Sequence, residues 1–161
     1  MKFLLAPIAW IYGFVVWLRN LLYDDHILHS TQVSIPTICV GNLAVGGTGK
    51  TPMAEYLISL LSSDYKVALL SRGYGRKTKG FRIANEHDTA QTIGDEPMQI
   101  HTHFPDIPVA VCADRVKGVK RLQQLYPDLQ CVILDDAYQH RKLRCGFYVL
   151  LTPYDCLYTN D

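Results

Sequence analysis

The 161 residues are enough for one domain with its own core, and a composition 48% hydrophobic and 19% charged excludes a disordered or fibrous chain. Lys and Arg total 16 against 15 Asp and Glu, so there is no global positive field to recruit nucleic acid, and any anion site must be local. Five cysteines (Cys39, Cys112, Cys131, Cys145 and Cys156) form no CxxC pair, which excludes a disulfide framework or a zinc site and points to a reducing, cytoplasmic compartment.

Phe3 to Leu18 carries no charge, holds Trp10, Tyr12 and Trp17, and is flanked by Lys2 and Arg19. Trp and Tyr favour the headgroup level and Lys and Arg reach toward phosphates, so residues 1–24 are expected to form a membrane-associated helix. Spanning needs roughly 20 apolar residues, so a helix lying in or dipping into the interface is favoured over one that crosses. A secretory signal is rejected because no small-residue cleavage site follows. The competing reading is an apolar helix packed on the domain's own core.

Residues 25–161 then alternate apolar β-type runs with helical or turn-rich segments. The runs are Thr37 to Val40, Lys66 to Leu70, Val109 to Cys112, Cys131 to Leu134 and Phe147 to Leu151. Between them, Thr51 to Leu61 and Arg115 to Leu125 show the three- and four-residue apolar spacing of amphipathic helices. The expected fold is α/β, a mostly parallel sheet flanked by helices, of the P-loop NTPase type.

The first run leads into Gly41-Asn42-Leu43-Ala44-Val45-Gly46-Gly47-Thr48-Gly49-Lys50-Thr51 and then a helix. Gly46, Gly47 and Gly49 let the backbone curl so that its N–H groups face inward, and the helix N-terminus adds positive potential, a cradle for ATP phosphates. Ala44, Val45, Gly46, Gly47, Thr48, Gly49, Lys50 and Thr51 are the expected nucleotide-binding residues. Lys50 would reach the β- and γ-phosphates and Thr51 would ligate Mg²⁺. Ala44 stands where the strict pattern has its first glycine.

Cys131 to Leu134 ends in Asp135-Asp136, two hard oxygen ligands at a strand end and therefore candidates for Mg²⁺. Ala137-Tyr138-Gln139-His140-Arg141 follows, with His140 a candidate for phosphate or substrate contact or for orienting the loop. Ser71-Arg72-Gly73-Tyr74-Gly75-Arg76-Lys77-Thr78-Lys79 is a basic, glycine-rich loop directly after a strand, where α/β sites form, so Arg72, Gly73, Tyr74, Gly75 and Arg76, with Asn42, are candidate substrate contacts. Gly94-Asp95-Glu96-Pro97 opens a further helical pattern. By pattern alone its acid pair is a helix-start charge, with Glu96 a further candidate metal ligand.

Taken in order, Val40-Gly41-Asn42, Gly46-Gly47-Thr48-Gly49-Lys50-Thr51-Pro52, Ser71-Arg72-Gly73-Tyr74-Gly75-Arg76, Gly94-Asp95-Glu96-Pro97 and Asp135-Asp136-Ala137-Tyr138-Gln139-His140-Arg141 make the chain resemble the tetraacyldisaccharide 4'-kinase family of lipid A biosynthesis. The resemblance implies ATP-dependent phosphorylation of the 4'-hydroxyl of a tetraacyldisaccharide 1-phosphate at the cytoplasmic face of the bacterial inner membrane. It also implies that Asp95 activates the acceptor hydroxyl. Ala137 and Tyr138 depart mildly from the family's DDGFQHR. The family's chains are about twice as long, and their second lobe supplies a histidine partner for that aspartate, so an N-terminal half is expected. Competing readings are a membrane-associated P-loop ATPase and a nucleotide-binding fragment without catalysis.

Overall fold

The computed structural model describes residues 2–25, 27–42 and 49–153. Helix α1 (Lys2–Asp24) leads through β1 (Thr31–Gln32) into β2 (Thr37–Asn42), α2 (Lys50–Leu61) and β3 (Val67–Ser71). Then come β4 (Arg82–Ile83), α3 (Ala90–Ile93), α4 (Asp95–His103), β5 (Val109–Val111) and α5 (Arg115–Leu125). The described chain ends with β6 (Cys131–Asp135), β7 (Leu143–Arg144) and β8 (Phe147–Leu151).

Six strands form one sheet in the order β4-β5-β3-β6-β2-β8, parallel throughout except for the antiparallel β4 edge. The α/β expectation of a mostly parallel sheet therefore holds, and all five predicted runs are strands. Their period of two divides the core. Cys39, Ala68, Leu70, Val132 and Leu134 face Val116, Val119 and Leu122 of α5. Val40, Leu69 and Ile133 face the other way, onto Ala54 and Ile58 of α2 and Ile100 of α4. Both faces of the central strands are thus covered, as a parallel sheet requires. Each fully buried aliphatic side chain contributes on the order of 2 kcal/mol.

Sequence periodicity did not reveal β1, β4, β7 or α3, each of two to four residues. Short elements like these depend on side-chain ties. Arg82 pairs at 2.7 Å with the buried Asp88, whose carboxylate also accepts from the Asn85 N–H and the Thr92 hydroxyl. Thr89 and Thr92 then make reciprocal caps on α3. Burial raises the Asp88 carboxyl, but the Arg82, Thr92 and Asn85 bonds outweigh it and hold the group below the usual carboxylate range.

Helix α1 stands apart from this core. Trp10 is 81% exposed, and Ile11, Tyr12, Phe14, Val15 and Trp17 are exposed with it, so this stretch is not packed on the domain's own hydrophobic interior. Among the described residues no helix is long and apolar enough to cross a membrane.

Helix α5 lies close to the sheet because Gly118 has no side chain. A Cβ there would stand 2.7 Å from Leu70 Cδ2 and 3.1 Å from Cys112 Cβ, inside a fully packed layer. Gly118→Ala is therefore expected to lower unfolding stability by about 1–3 kcal/mol, even though alanine is the better helix former. Denaturant titration checks this, and an unchanged or raised midpoint would contradict the close packing.

Candidate active site

The parallel register sets Val40 of β2 opposite Asp135 of β6, and Leu70 of β3 opposite Leu134. Asn42, Ser71 and Asp135 therefore finish three neighbouring strands at one edge of the sheet. Ala44, Val45, Gly46, Gly47 and Thr48 lie outside the described residues. On the far side, Gly49 caps α2 at φ 79°, in the left-handed region that glycine enters without a Cβ penalty. Lys50 and Thr51 then open the helix, with Pro52 in its first turn, where a missing N–H costs nothing.

The Lys50 ammonium donates to Asn42 Oδ1 at 3.1 Å and lies 3.5 Å from Asp136 Oδ1. Two of the sequence candidates, one from the strand end and one from the acid pair, thus hold the lysine from opposite sides. Asp136 adopts φ 50°, the one non-glycine residue in positive φ among those described. Holding a branched side chain there costs on the order of 1 kcal/mol, and such strain concentrates at sites that need a fixed geometry.

Asp135 is only 1% exposed, and neither of its carboxylate oxygens has a hydrogen-bond partner among the described residues. Burial, then the nearby Glu96 and Asp136 carboxylates, push its pKa up to about 7, against the opposing pull of Lys50 and Arg115. No group of three His, Cys, Asp or Glu forms a cage for a metal among the described residues. Mg²⁺ does not need one, since it commonly takes one or two carboxylates and fills the remainder with water and phosphate oxygens. An orphaned, charge-crowded carboxylate beside Asp136 fits that chemistry, and Thr51 and Glu96 are the further sequence candidates for it.

A basic residue that sequence reading passed over supports this edge from below. Arg115, only 2% exposed, donates to the carbonyls of Cys112 at 2.8 Å and Asp136 at 3.3 Å, and reaches that of Asp135 at 3.5 Å. It ties the loop after β5 to the end of β6. Burial first and Arg72 second lower its affinity for a proton, while Asp135 and Asp136 raise it. Only its position as the first residue of an amphipathic helix was visible, a place that normally reads as solvated.

The basic loop and the Gly94 turn are packed backbone to backbone. A Cβ on Gly73 would stand 2.6 Å from the Ile93 carbonyl oxygen, and one on Gly94 would stand 3.0 Å from that of Tyr74. Both glycines have positive φ, 69° and 99°. This junction brings together the separate motifs that hold Gly73 and Gly94. It leaves Arg72 exposed and Tyr74 83% exposed, with Gly75 open around the ring. Arg76 instead braces its own loop, through Thr78 Oγ1 at 3.3 Å and the Gly80 carbonyl at 2.6 Å.

Asp95 and Glu96 are exposed in the first turn of α4, where carboxylates suit the helix dipole. Asp95 makes no hydrogen bond or ion pair with a described residue, so its oxygens are available to an incoming group. His140 lies toward Asp114 and Arg115. Its Nε2 is buried without a hydrogen-bond partner among the described residues, and burial and then the Arg115 charge lower its pKa.

The buried Asp135 has a consequence for stability. A carboxyl whose folded value lies above its unfolded one binds more protons when folded, so its contribution falls as pH rises from about 4 through about 7. Asp135→Asn is expected to stabilise the ligand-free protein at pH 8 by roughly 1–3 kcal/mol, with the difference closing toward pH 4. Chemical denaturation at the two pH values checks this, and a destabilised variant at pH 8 would show that the carboxylate is already satisfied.

Known proteins resemble the chain over nearly all of its length. The family described as tetraacyldisaccharide-1-P 4'-kinase matches residues 1–160. A tetraacyldisaccharide 4'-kinase of Flavobacterium johnsoniae is 53% identical over 98% of this chain and 46% of its own length. That of Bacteroides thetaiotaomicron is 49% identical over 98% of this chain and 42% of its own. The crystal structure of LpxK from Aquifex aeolicus in complex with ATP aligns with a TM-score of 0.81 at 39% identity, covering 91% of this chain and 47% of that one. The chain thus spans somewhat under half the length of these relatives. With the match running through every site element described above, the chain belongs to the tetraacyldisaccharide-1-P 4'-kinase family.

Proposed function

We propose that this chain carries the nucleotide-binding part of an ATP-dependent kinase that phosphorylates the 4'-hydroxyl of a tetraacyldisaccharide 1-phosphate in lipid A biosynthesis. The observation that carries the reading is the Lys50 ammonium held between Asn42 and Asp136, beside a buried Asp135 with unpaired oxygens. The ATP named with the Aquifex aeolicus relative supports it. So does the loop from Ala44 to Thr48, whose glycines suit a main-chain phosphate cradle of the P-loop type.

In this reading Lys50 draws negative charge from the β- and γ-phosphates as it accumulates during transfer. Asp135 and Asp136, with Thr51 and Glu96, would hold Mg²⁺, which when bound neutralises the phosphate oxygens. Asp95 accepts the proton of the sugar hydroxyl while that oxygen bonds to the γ-phosphorus and the bond from phosphorus to the bridging β-oxygen breaks, leaving ADP. Arg72 and Tyr74, displayed on the loop welded to the Gly94 turn, together with Gly73, Gly75 and Asn42, line the approach of the glycolipid headgroup. Arg76 serves the same surface by fixing the shape of the loop. His140, whose charged form burial disfavours, orients the loop after β6.

Helix α1 suits a lipid interface in this scheme. Its exposed Trp10, Phe14 and Trp17 give an apolar aromatic face, and Arg19 is placed to reach phosphate headgroups at the cytoplasmic side of the inner membrane. Deleting residues 1–23 is expected to release the protein from liposomes in flotation, and equal flotation with and without the segment would remove the anchor from the account.

Lys50→Ala is expected to abolish productive MgATP binding, read by calorimetric titration, because the cradle would lose the cation facing the phosphates. Asp95→Asn in an intact enzyme bearing this sequence should leave MgATP affinity nearly unchanged and slow transfer by roughly 10² to 10⁴, since the amide keeps the shape but accepts no proton. Transfer at the parental rate by the Asp95 variant would sink its role as base.

A further inference from the structure

Among the described residues, one residue of the loop after β6 bonds to several groups at the C-terminal end of helix α1. Arg141 donates through Nη1 to the Asn20 carbonyl at 3.2 Å, pairs through Nη2 with Asp24, and stacks over the Tyr23 ring at 5.3 Å. The last turn of α1 contains no basic residue of its own, although Asp24 adds a carboxylate to the negative end of the helix dipole. Arg141 supplies from outside the cation that this terminus lacks. Ser30 Oγ donates to the Arg141 carbonyl at 2.6 Å and steadies the other end of the residue. A cleft of about 870 Å³, lined by Val16, Asn20 and Asp24 of α1, by Arg141 and by Tyr148 of β8 among others, lies beside this tie, between α1 and the sheet edge.

The same loop is bonded to the phosphate site. Gln139 Nε2 donates to the Asn42 carbonyl at 3.0 Å, the Asn42 side chain accepts from Lys50 at 3.1 Å, and Lys50 faces Asp136 at 3.5 Å. Tyr138 packs directly against Gly41, leaving no room for a Cβ there. The loop backbone between Arg141 and Gln139, the Gln139–Asn42 bond and the Asn42–Lys50 bond therefore connect the end of α1 with the lysine and the acid. Because the loop enters through Asp136 at φ 50°, its conformation is held by these surroundings rather than by local preference.

We propose that Arg141 is a positioning residue that couples the seating of α1 on a lipid surface to the arrangement of Lys50 and Asp136 for nucleotide phosphates. The inference rests on the reading that α1 docks at a lipid interface and that Lys50 binds phosphate, but not on the identity of the acceptor. Seating α1 fixes the direction of its last turn, and Arg141 passes that direction to the loop. By reciprocity, a nucleotide that orders the loop must tighten the grip of α1 on the lipid by the same factor.

Both tryptophans of the chain, Trp10 and Trp17, lie on α1, so intrinsic fluorescence reports its seating directly. The probes are vesicles of phosphatidylethanolamine with phosphatidylglycerol, and Mg²⁺ with a non-hydrolysable ATP analogue, each titrated in the presence and absence of the other. The parent chain is expected to bind the analogue about fivefold or more tightly on vesicles, and vesicles more tightly by the same factor with the analogue present. Arg141→Ala should bring both ratios to one, and Arg141→Lys, which keeps a cation near Asp24 but cannot also span to the Asn20 carbonyl, should fall between. An alanine variant that weakens nucleotide equally on and off vesicles has lost only structure and overturns the proposal, as does a parent chain that binds vesicles without any change in nucleotide affinity. Absence of a vesicle-dependent tryptophan signal overturns the coupling and the interfacial role of α1 together. Failure to phosphorylate glycolipid would strike the proposed acceptor alone, since none is present in these titrations.

Discussion

Pairing β2 with β6 in parallel sets Val40 opposite Asp135, and the remainder of the site is arranged around that register. It puts the strand that leads into the glycine-rich loop beside the strand that ends in two carboxylates. Lys50, at the start of the helix after that loop, is then within reach of Asn42 on one strand and Asp136 just past the other. A slip of one residue would turn Asp135 to the opposite face of the sheet and remove it from this company. Both strands are buried on both faces, so the fit of their side chains into the layers against α5 and α2, and the placing of Asp135, hold the register.

The electrostatics of the edge are those of a site built for a ligand rather than for stability. Asp135 is buried with unpaired oxygens and crowded by Glu96 and Asp136, while Arg115 beneath it spends its guanidinium on backbone carbonyls. A protein selected for stability alone would replace such a buried acid with an apolar residue. A ligand bearing opposite charge, or a metal shared with phosphate, offsets the cost that folding leaves standing.

Much of this was legible in the sequence because it depended on local periodicity and on glycines. The five apolar runs, the two long amphipathic helices and the lysine and acid pair at strand ends all follow from patterns that short windows contain. What the sequence did not reveal depends on partners distant in the chain. Arg115 looks like the start of an ordinary helix until the ends of β5 and β6 enclose it. Asp88 and Arg82 define α3 and β4 through an ion pair whose carboxylate alone is buried, with no periodicity to announce either element. The weld between Gly73 and Gly94 needs two turns from separate motifs, and the charged form of His140 is disfavoured, by burial first and Arg115 second, only once the chain has folded around it. The resemblance of the ordered motifs went further than the periodicity, since it singled out Asp95, an exposed acid that packing alone would leave as a helix-start charge.

The proposed role of this edge is transfer of a phosphoryl group to a glycolipid. Following γ-³²P-labelled ATP in an intact enzyme bearing this sequence, with and without tetraacyldisaccharide 1-phosphate, tests it most directly. The account predicts that label passes to the glycolipid and that ADP appears only when the glycolipid is present. ADP released at the same rate without glycolipid, with the label recovered as free phosphate, would contradict it and leave an ATPase in its place.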